Sequence, residues 1–343
     1  MRFLLDDEQT AFARSLDGLL TAADTPAVVR SWGAGDHGAG RALWSRIAEL
    51  GVFALAVPEA YEGVGARPVE LAVAFVELGR HAVPGPVVET VAAAALLSEP
   101  GFSHLAKRFL PGVASGETVV TVALPGGGPY ALDGDVADVE LRVTGGGFGG
   151  EEGQLWGASG ARKGSPDVRR SLDPARRLCV PRSGSELLAA GPRVGAGVAD
   201  AVRWARLATA AQALGVGLAL LDRTVAYVKQ RRQFGVPVGS FQAVRHRLAD
   251  AKIALEFARP LVFGAAVSME PADLAAAKVV ACEAAYATAR TALQLHGAIG
   301  YTAEYDLSLW LGRAWALRCA WGSPGECRGV VLGGGGDGGA GVG

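Results

Sequence analysis

Two polar islands set between apolar segments carry the residue types that could do chemistry. The first runs from Arg231 to Asp250 and reads RRQFGVPVGSFQAVRHRLAD. It is basic and punctuated by Gly235, Pro237 and Gly239, which marks a turn between two helical patterns. The second runs from Gln294 to Asp306 and reads QLHGAIGYTAEYD. Guanidinium groups fork onto phosphate oxygens, amides hydrogen-bond, and glycine lets backbone approach a ligand closely. Together these are contacts that an extended phosphorylated cofactor would use. The plainer alternative is a solvated helix end whose glycines only turn the chain.

Long helices must position these islands. Leu207, Ala211, Leu214, Leu218, Leu221, Val225 and Val228 step by four and three, which puts them on one helix face. Val244, Leu248, Ala251, Leu255 and Ala258 repeat the pattern in a second helix, with Ser240 as its expected N-cap. Pro271 opens a third, with Asp273 in its first turn, and its apolar run continues towards Leu295. Residues 196–332 are therefore expected to form an antiparallel, four-helix-bundle-like domain. Residues 1–110 read as helices joined by loops at 58–65 and 77–86. Between them, 111–195 carries short β-type runs, ETVVTVAL and VADVELRVTG, with glycine clusters at 126–128 and 145–150. That pattern predicts a small middle β domain. Residues 333–343 are almost all glycine and are expected to be disordered. The fold class is α+β.

A chain of 343 residues is long enough for two or three small domains sharing cores. A formal net charge of -1 is not the balance of a nucleic-acid-binding protein. The apolar stretches are repeatedly broken by Arg, Asp or Lys, which argues against a membrane span. No charged leader precedes a hydrophobic run, so no cleaved signal is expected. Cys179, Cys282, Cys319 and Cys327 match no zinc or redox spacing and read as reduced thiols of a cytoplasmic protein. The histidines form no HExxH arrangement, and no metal site is expected.

The order of domains, with RRQFGVPVGSFQ at 231–242, QLHGAIGYTAEY at 294–305 and the loop Glu59 to Gly65, resembles the acyl-CoA dehydrogenases over nearly the whole chain. The resemblance implies an acyl-CoA dehydrogenase-like fold with a shortened middle domain. It also implies FAD, an acyl-CoA thioester substrate and subunits that share the cofactor site. An electron-transfer flavoprotein or similar acceptor would take the electrons. By position, Arg231 resembles an arginine that meets the FAD pyrophosphate across a subunit boundary, and Phe234 would pack near the cofactor. Gln242 and Gln294 resemble cofactor hydrogen-bonding positions, and Gly297 would let backbone approach the dinucleotide.

The family's reaction removes an α-proton from the thioester while a hydride leaves the β-carbon for the flavin. It therefore needs a proton-accepting carboxylate. One usual place for that glutamate follows an aromatic residue and reads here as Gly322, after Trp321. The other precedes an arginine and reads as Ala205, before Arg206. Neither residue can accept a proton. Arg206 matches as site support, and Glu304, beside Asp306, shapes the site rather than acting as the base. Ala298 replaces a frequent second glycine, and the acidic-proline signature of the middle domain is absent.

Three readings follow. In the first, this chain is a base-lacking subunit completed by a homologous, base-bearing partner. Such unequal pairs occur in actinobacterial degradation of steroid and other bulky acyl-CoA thioesters. In the second, it is self-sufficient and uses a displaced acid such as Glu326, although Pro324 and Gly325 argue against a regular helical turn there. In the third, it is a flavin-free binding or scaffold protein. Trp204, Trp310 and Trp321 are large enough to narrow a cavity and equally suited to ordinary core.

Overall fold

The computed structural model describes residues 5–145, 152–160, 167–182 and 185–333. Six helices open the chain: α1 (Asp7–Ala22), α2 (Thr25–Ala34), α3 (Gly38–Glu49), α4 (Pro68–Arg80), α5 (Val87–Leu97) and α6 (Ser103–Ala114). Helix α1 starts on a reciprocal cap. Asp6 accepts from the Gln9 backbone N–H, and the Gln9 side chain accepts from the Asp6 N–H. Helix α5, VVETVAAAALL, is buried on every side, which its composition dictates.

The middle segment holds two small sheets. Strands β1 (Val120–Ala123), β3 (Val139–Gly145), β4 (Gly153–Ser159) and β7 (Glu186–Gly191) form one in the order β1-β3-β4-β7. Strands β2 (Ala131–Leu132), β5 (Val168–Arg169) and β6 (Leu178–Cys179) form the other, in the order β2-β6-β5. β1 runs parallel to β3, and the remaining pairings within these sheets are antiparallel. Alternation along β4, buried at Gly153, Leu155 and Gly157, sends one face to the core. Most of the glycine cluster expected at 145–150 lies outside the described residues.

Helix α7 (Pro192–Gln230) is the spine of the molecule. It begins earlier than the stripe of leucines alone suggests, because Pro192 sits at its N-terminus, where proline's missing N–H costs nothing. It is long and apolar enough to cross a membrane, yet 89% of its most apolar stretch is buried within this fold. It packs on α4 and α5 on one side and on α8 (Gln242–Ser268), α9 (Pro271–His296) and α10 (Leu307–Cys319) on the other. The contact with α4 is backbone on backbone. A Cβ added at Gly215 would stand 1.9 Å from the Val76 carbonyl oxygen, and one at Gly79 would stand 2.1 Å from that of Gln212. Only glycine permits that approach.

A short hairpin, β8 (Arg232–Gln233) with β9 (Val236–Pro237), joins α7 to α8. Ser240 does not cap α8 as its position suggests. Its hydroxyl donates to the Pro237 carbonyl at 2.7 Å, inside a short 3-10 turn, and Phe241 takes the N-cap position. Helix α9 opens at Pro271 with Asp273 in its first turn, as expected. The chain continues into α11 (Pro324–Gly333), so Gly333 is helical and 334–343 lie outside the described residues. Pro324 and Gly325 do not prevent a helical turn. Proline stands at the helix start, the one place where helices favour it.

Candidate functional site

The two polar islands meet through an aromatic clasp. The Tyr227 ring, in the last turn of α7, stacks on His296 at 4.2 Å, and its hydroxyl donates to the His296 carbonyl at 3.3 Å. This fastens the hairpin carrying Arg231 to the turn carrying Gly297, whose φ of 66° suits glycine. His296 Nδ1 lies 2.8 Å from the Ala292 carbonyl, which can only accept, so Nδ1 carries the proton. Burial lowers the imidazole pKa and keeps it neutral. Its buried Nε2 is then an acceptor with no hydrogen-bond partner among the described residues.

The predicted cofactor residues fall on two neighbouring surfaces. Arg231 ends α7 just before the hairpin, Phe234 sits in its turn and Gln242 opens α8 after it, all exposed, with Phe234 at 93%. A phenyl ring that open, edge-on to Phe241 at 6.4 Å, is built to be covered. Gln294 instead lines a groove of about 960 Å³ with Arg247, Arg290, Tyr286, Tyr301 and Trp315. Arg247 donates to its side-chain oxygen. Among the described residues, no carboxylate pairs with Arg231, Arg232, Arg245 or Arg247. Cations without a carboxylate partner beside exposed rings, with an amide close by, fit the phosphates and base of a dinucleotide such as FAD. Arg247 stood inside the basic island and was legible there. Arg290, Tyr286 and Trp315 had no motif to reveal them.

The second part of the site is the junction where the three segments meet. Arg206 is buried on α7, and its Nε donates to the Trp321 carbonyl at 3.4 Å. Lys278, fully buried on α9, donates Nζ to the carbonyls of Arg318, at 2.7 Å, and Gly322. These two cations hold the α10–α11 turn in place. Within it Trp321 has φ 57° and Gly322 has φ 112°. The left-handed conformation at tryptophan costs about 1–2 kcal/mol and persists because its surroundings over-determine it. A Cβ added at Gly322 would meet Cys327 Sγ at 2.9 Å. Position 322 is therefore a turn glycine, poorly suited to a glutamate. The side chain that this turn sends into the junction is the Trp321 indole. Ala205 is fully buried.

Trp321 is 2% exposed. Its Nε1 donates to Glu89 Oε1 on α5 at 3.3 Å, and Glu89 lies 3.6 Å from Arg176 of the middle segment. Glu89 escaped motif reasoning, although a lone acid inside VVETVAAAALL is itself a signal. Trp310 is buried core, with Nε1 donating to the Arg80 carbonyl at 2.8 Å. Trp204 instead lines a smaller cavity of about 410 Å³ with Glu59, Ser98 and Asp200.

Glu326 is exposed and committed elsewhere. Its carboxylate accepts from the Ser323 N–H at 2.6 Å, while the Ser323 hydroxyl accepts from the Glu326 N–H at 3.3 Å. This is a capping box for α11. The Ser323 backbone hydrogen bond lowers the carboxyl pKa, the wrong direction for a base working near neutrality. Glu326→Gln is expected to leave turnover unchanged, whereas Ser323→Ala should cost about 1 kcal/mol of stability through the lost cap. Steady-state rates and thermal melting check both.

Glu304 is exposed, and its backbone carbonyl accepts from Arg30 Nη2 at 3.0 Å. Asp17, Glu77 and His81 bring ligand atoms within 4.8 Å of one another. Arg80 lies 3.7 Å from Glu77, however, and His81 already meets Asp17 at 2.9 Å, so the trio's ligand atoms are engaged with neighbouring side chains.

The comparisons with known proteins agree with this fold. The sequence model for the acyl-CoA dehydrogenase N-terminal domain matches residues 6–117, and that for the acyl-CoA dehydrogenase C-terminal domain matches residues 196–326. Acyl-CoA dehydrogenase IpdE2 of Mycobacterium tuberculosis is 33% identical over 315 residues, which cover 90% of this chain and 91% of the relative. A solved variant of the Tcur3481-Tcur3483 steroid ACAD superposes with a TM-score of 0.81 at 25% identity, covering 95% of this chain and 97% of that one. The ChsE4-ChsE5 complex from Mycobacterium tuberculosis shares the fold, with a TM-score of 0.80 at 24% identity and 98% of both chains covered. With its N- and C-terminal segments both matched and the helix–sheet–helix order in place, this chain belongs to the acyl-CoA dehydrogenase family of FAD-dependent oxidoreductases.

Proposed function

We propose that this chain is the base-lacking subunit of a heteromeric acyl-CoA dehydrogenase. A homologous partner would supply the glutamate that takes the α-proton. The observation that carries this reading is the junction itself. Alanine at 205, glycine at 322 and an indole from 321 offer no proton acceptor at the two usual places, and the acid present at the junction, Glu89, is buried against Trp321 Nε1 and Arg176, while the cationic, aromatic face suited to a dinucleotide is kept. Bound flavin would accept the hydride from the β-carbon. Arg231, Arg247 and Gln294 would hold its phosphates and polar edges, and Phe234 would cover its rings. The four unpaired thiols suit a reducing compartment, here the cytoplasm.

A bulky, steroid-derived acyl-CoA is the substrate class proposed. It is supported by the likeness to a protein described as a steroid ACAD. Two of the similar structures are described as pairs of differently named chains, Tcur3481-Tcur3483 and ChsE4-ChsE5, which supports a heteromer here. An electron-transfer flavoprotein would be the acceptor.

Co-expression with a base-bearing homologue tests the reading. The isolated chain should not reduce an acceptor dye with acyl-CoA, and the co-purified complex should be yellow and active. Full activity of the isolated chain would overturn it. A complex that stays colourless after FAD addition would favour a scaffold instead.

A further inference from the structure

The middle segment also holds a cation without an acid. Strand register places Arg142 of β3 between Ala123 of β1 and Trp156 of β4, so the three share one face of the sheet. Arg142 is half-buried, and among the described residues no carboxylate pairs with it. Its Nε is buried with no hydrogen-bond partner. Such a donor costs stability, because it has left water and gained nothing in return. Arg142 lines a cavity of about 460 Å³. Leu124, Pro125, Pro129 and Pro181 give that cavity apolar walls, and no acid lines it. The Thr144 hydroxyl lines it too, and its oxygen accepts from Trp156 Nε1 at 3.2 Å, which leaves its own O–H to donate. One wall is the loop after β1, closed by a bridge between Leu124 and Gly128.

We propose that this cavity is an anion-binding site: Arg142, with Thr144 beside it, holds the carboxylate or phosphate group of a ligand whose body is apolar. A guanidinium forks onto the oxygens of either group. The charge inside the cavity is of one sign, and the hydroxyl beside it is free to donate, so a cation or a neutral donor finds no match there. The proline and leucine walls suit a ring or a short chain, and the volume falls in the range of about 300–1,000 Å³ usual for small-molecule sites. The residues of this cavity are distinct from those of the groove that holds Gln294. The site stands independently of the heteromeric reading.

The test uses the full chain with nitrogen-15 in its indoles, and three tryptophans report on three places. Trp156 is bonded to Thr144 at the cavity, Trp315 lines the Gln294 groove, and Trp310 is core. The probes are cyclohexanepropanoate, its neutral amide and phenyl phosphate. Titrating either anion should move the Trp156 N–H signal and leave those of Trp315 and Trp310 in place, while the amide moves none. Arg142→Gln should weaken the anion by about 10-fold or more, with Arg142→Lys between the two. Tighter binding of the phosphate would name a phosphoester as the ligand, and tighter binding of the carboxylate a carboxylic acid; each supports the site. A Trp156 signal that neither anion moves, that the amide moves as far, or that still responds in Arg142→Gln overturns it. Melting gives a second measurement. Without ligand, Arg142→Met should melt no lower than wild type, because an unmatched donor is removed, and the anion should raise the melting temperature of wild type alone. A ligand-free Arg142→Met chain that melts well below wild type would make the arginine structural and overturn the proposal.

Discussion

Replacing Arg231 with alanine is expected to weaken flavin retention by the assembled enzyme about 10- to 100-fold, the loss typical of one charge-assisted hydrogen-bonding group. Arg231 ends α7 with an extended backbone, φ -68° and ψ 123°, and its own carbonyl accepts from Val238 at 2.7 Å. The side chain is exposed and pairs with no acid among the described residues, so removing it leaves no buried charge behind. The melting temperature of the flavin-free complex should therefore stay put, while in the assembled enzyme the ratio of visible flavin absorbance to protein falls. Arg231→Lys should land between alanine and wild type, because an ammonium keeps the charge but loses the fork. Raising the salt concentration should narrow the difference, since the contact is made at a screened surface. Arg80→Ala is the control. It removes an arginine that pairs with Asp222 at 2.9 Å and should leave flavin content unchanged. An Arg231→Ala complex with full flavin would place the cofactor elsewhere and return the basic hairpin to the status of a solvated turn.

Much of this was legible in the residues, and the misses have physical causes. The long helices declared themselves through apolar spacing, because a helix packed on several sides must keep its faces apolar along its whole length. The start of α9 at Pro271 was readable from proline and Asp273, whose preferences are local. Ser240 misled because serine can equally well close a turn, and here the Pro237 carbonyl competes successfully for its hydroxyl. Pro324 misled because proline breaks helix interiors but favours their first turn.

The cofactor surface was half visible. Arg231 and Gln294 sit in motifs, whereas Arg290 and Trp315 come together only through the packing of α9 and α10. The junction was the least legible part. That position 322 needs a left-handed backbone, and that a tryptophan beside it adopts one too, is decided by Lys278, Arg206 and Glu89 from three distant helices. The charges of Lys278 and Glu89, each alone in an apolar run, were the available sign. A buried charge without a neighbour in sequence must find its partner through the fold.

Arg313 obeys the same rule, and its removal should have the largest effect on stability. It is 2% exposed on α10, its Nε bonds Asp173 of the middle segment, and its Nη1 donates to the Val83 carbonyl at 2.8 Å, just beyond α4. One guanidinium thus ties all three segments together. Arg313→Met should destabilise the protein by about 3–5 kcal/mol, because Asp173 is left buried and uncompensated. Calorimetry should show a fall in Tm on the order of 10 °C. Arg313→Met combined with Asp173→Leu removes both charges and should recover most of that loss, since a buried pair gains little over apolar packing once its own desolvation is counted. The surface pair Arg203–Asp200, at 2.9 Å with both side chains nearly half exposed, should cost less than about 1 kcal/mol when Arg203 becomes alanine. If the double variant melted no higher than Arg313→Met, the stabilisation would have to lie in the Val83 contact and in guanidinium packing, and the charge pair would not be what joins the segments.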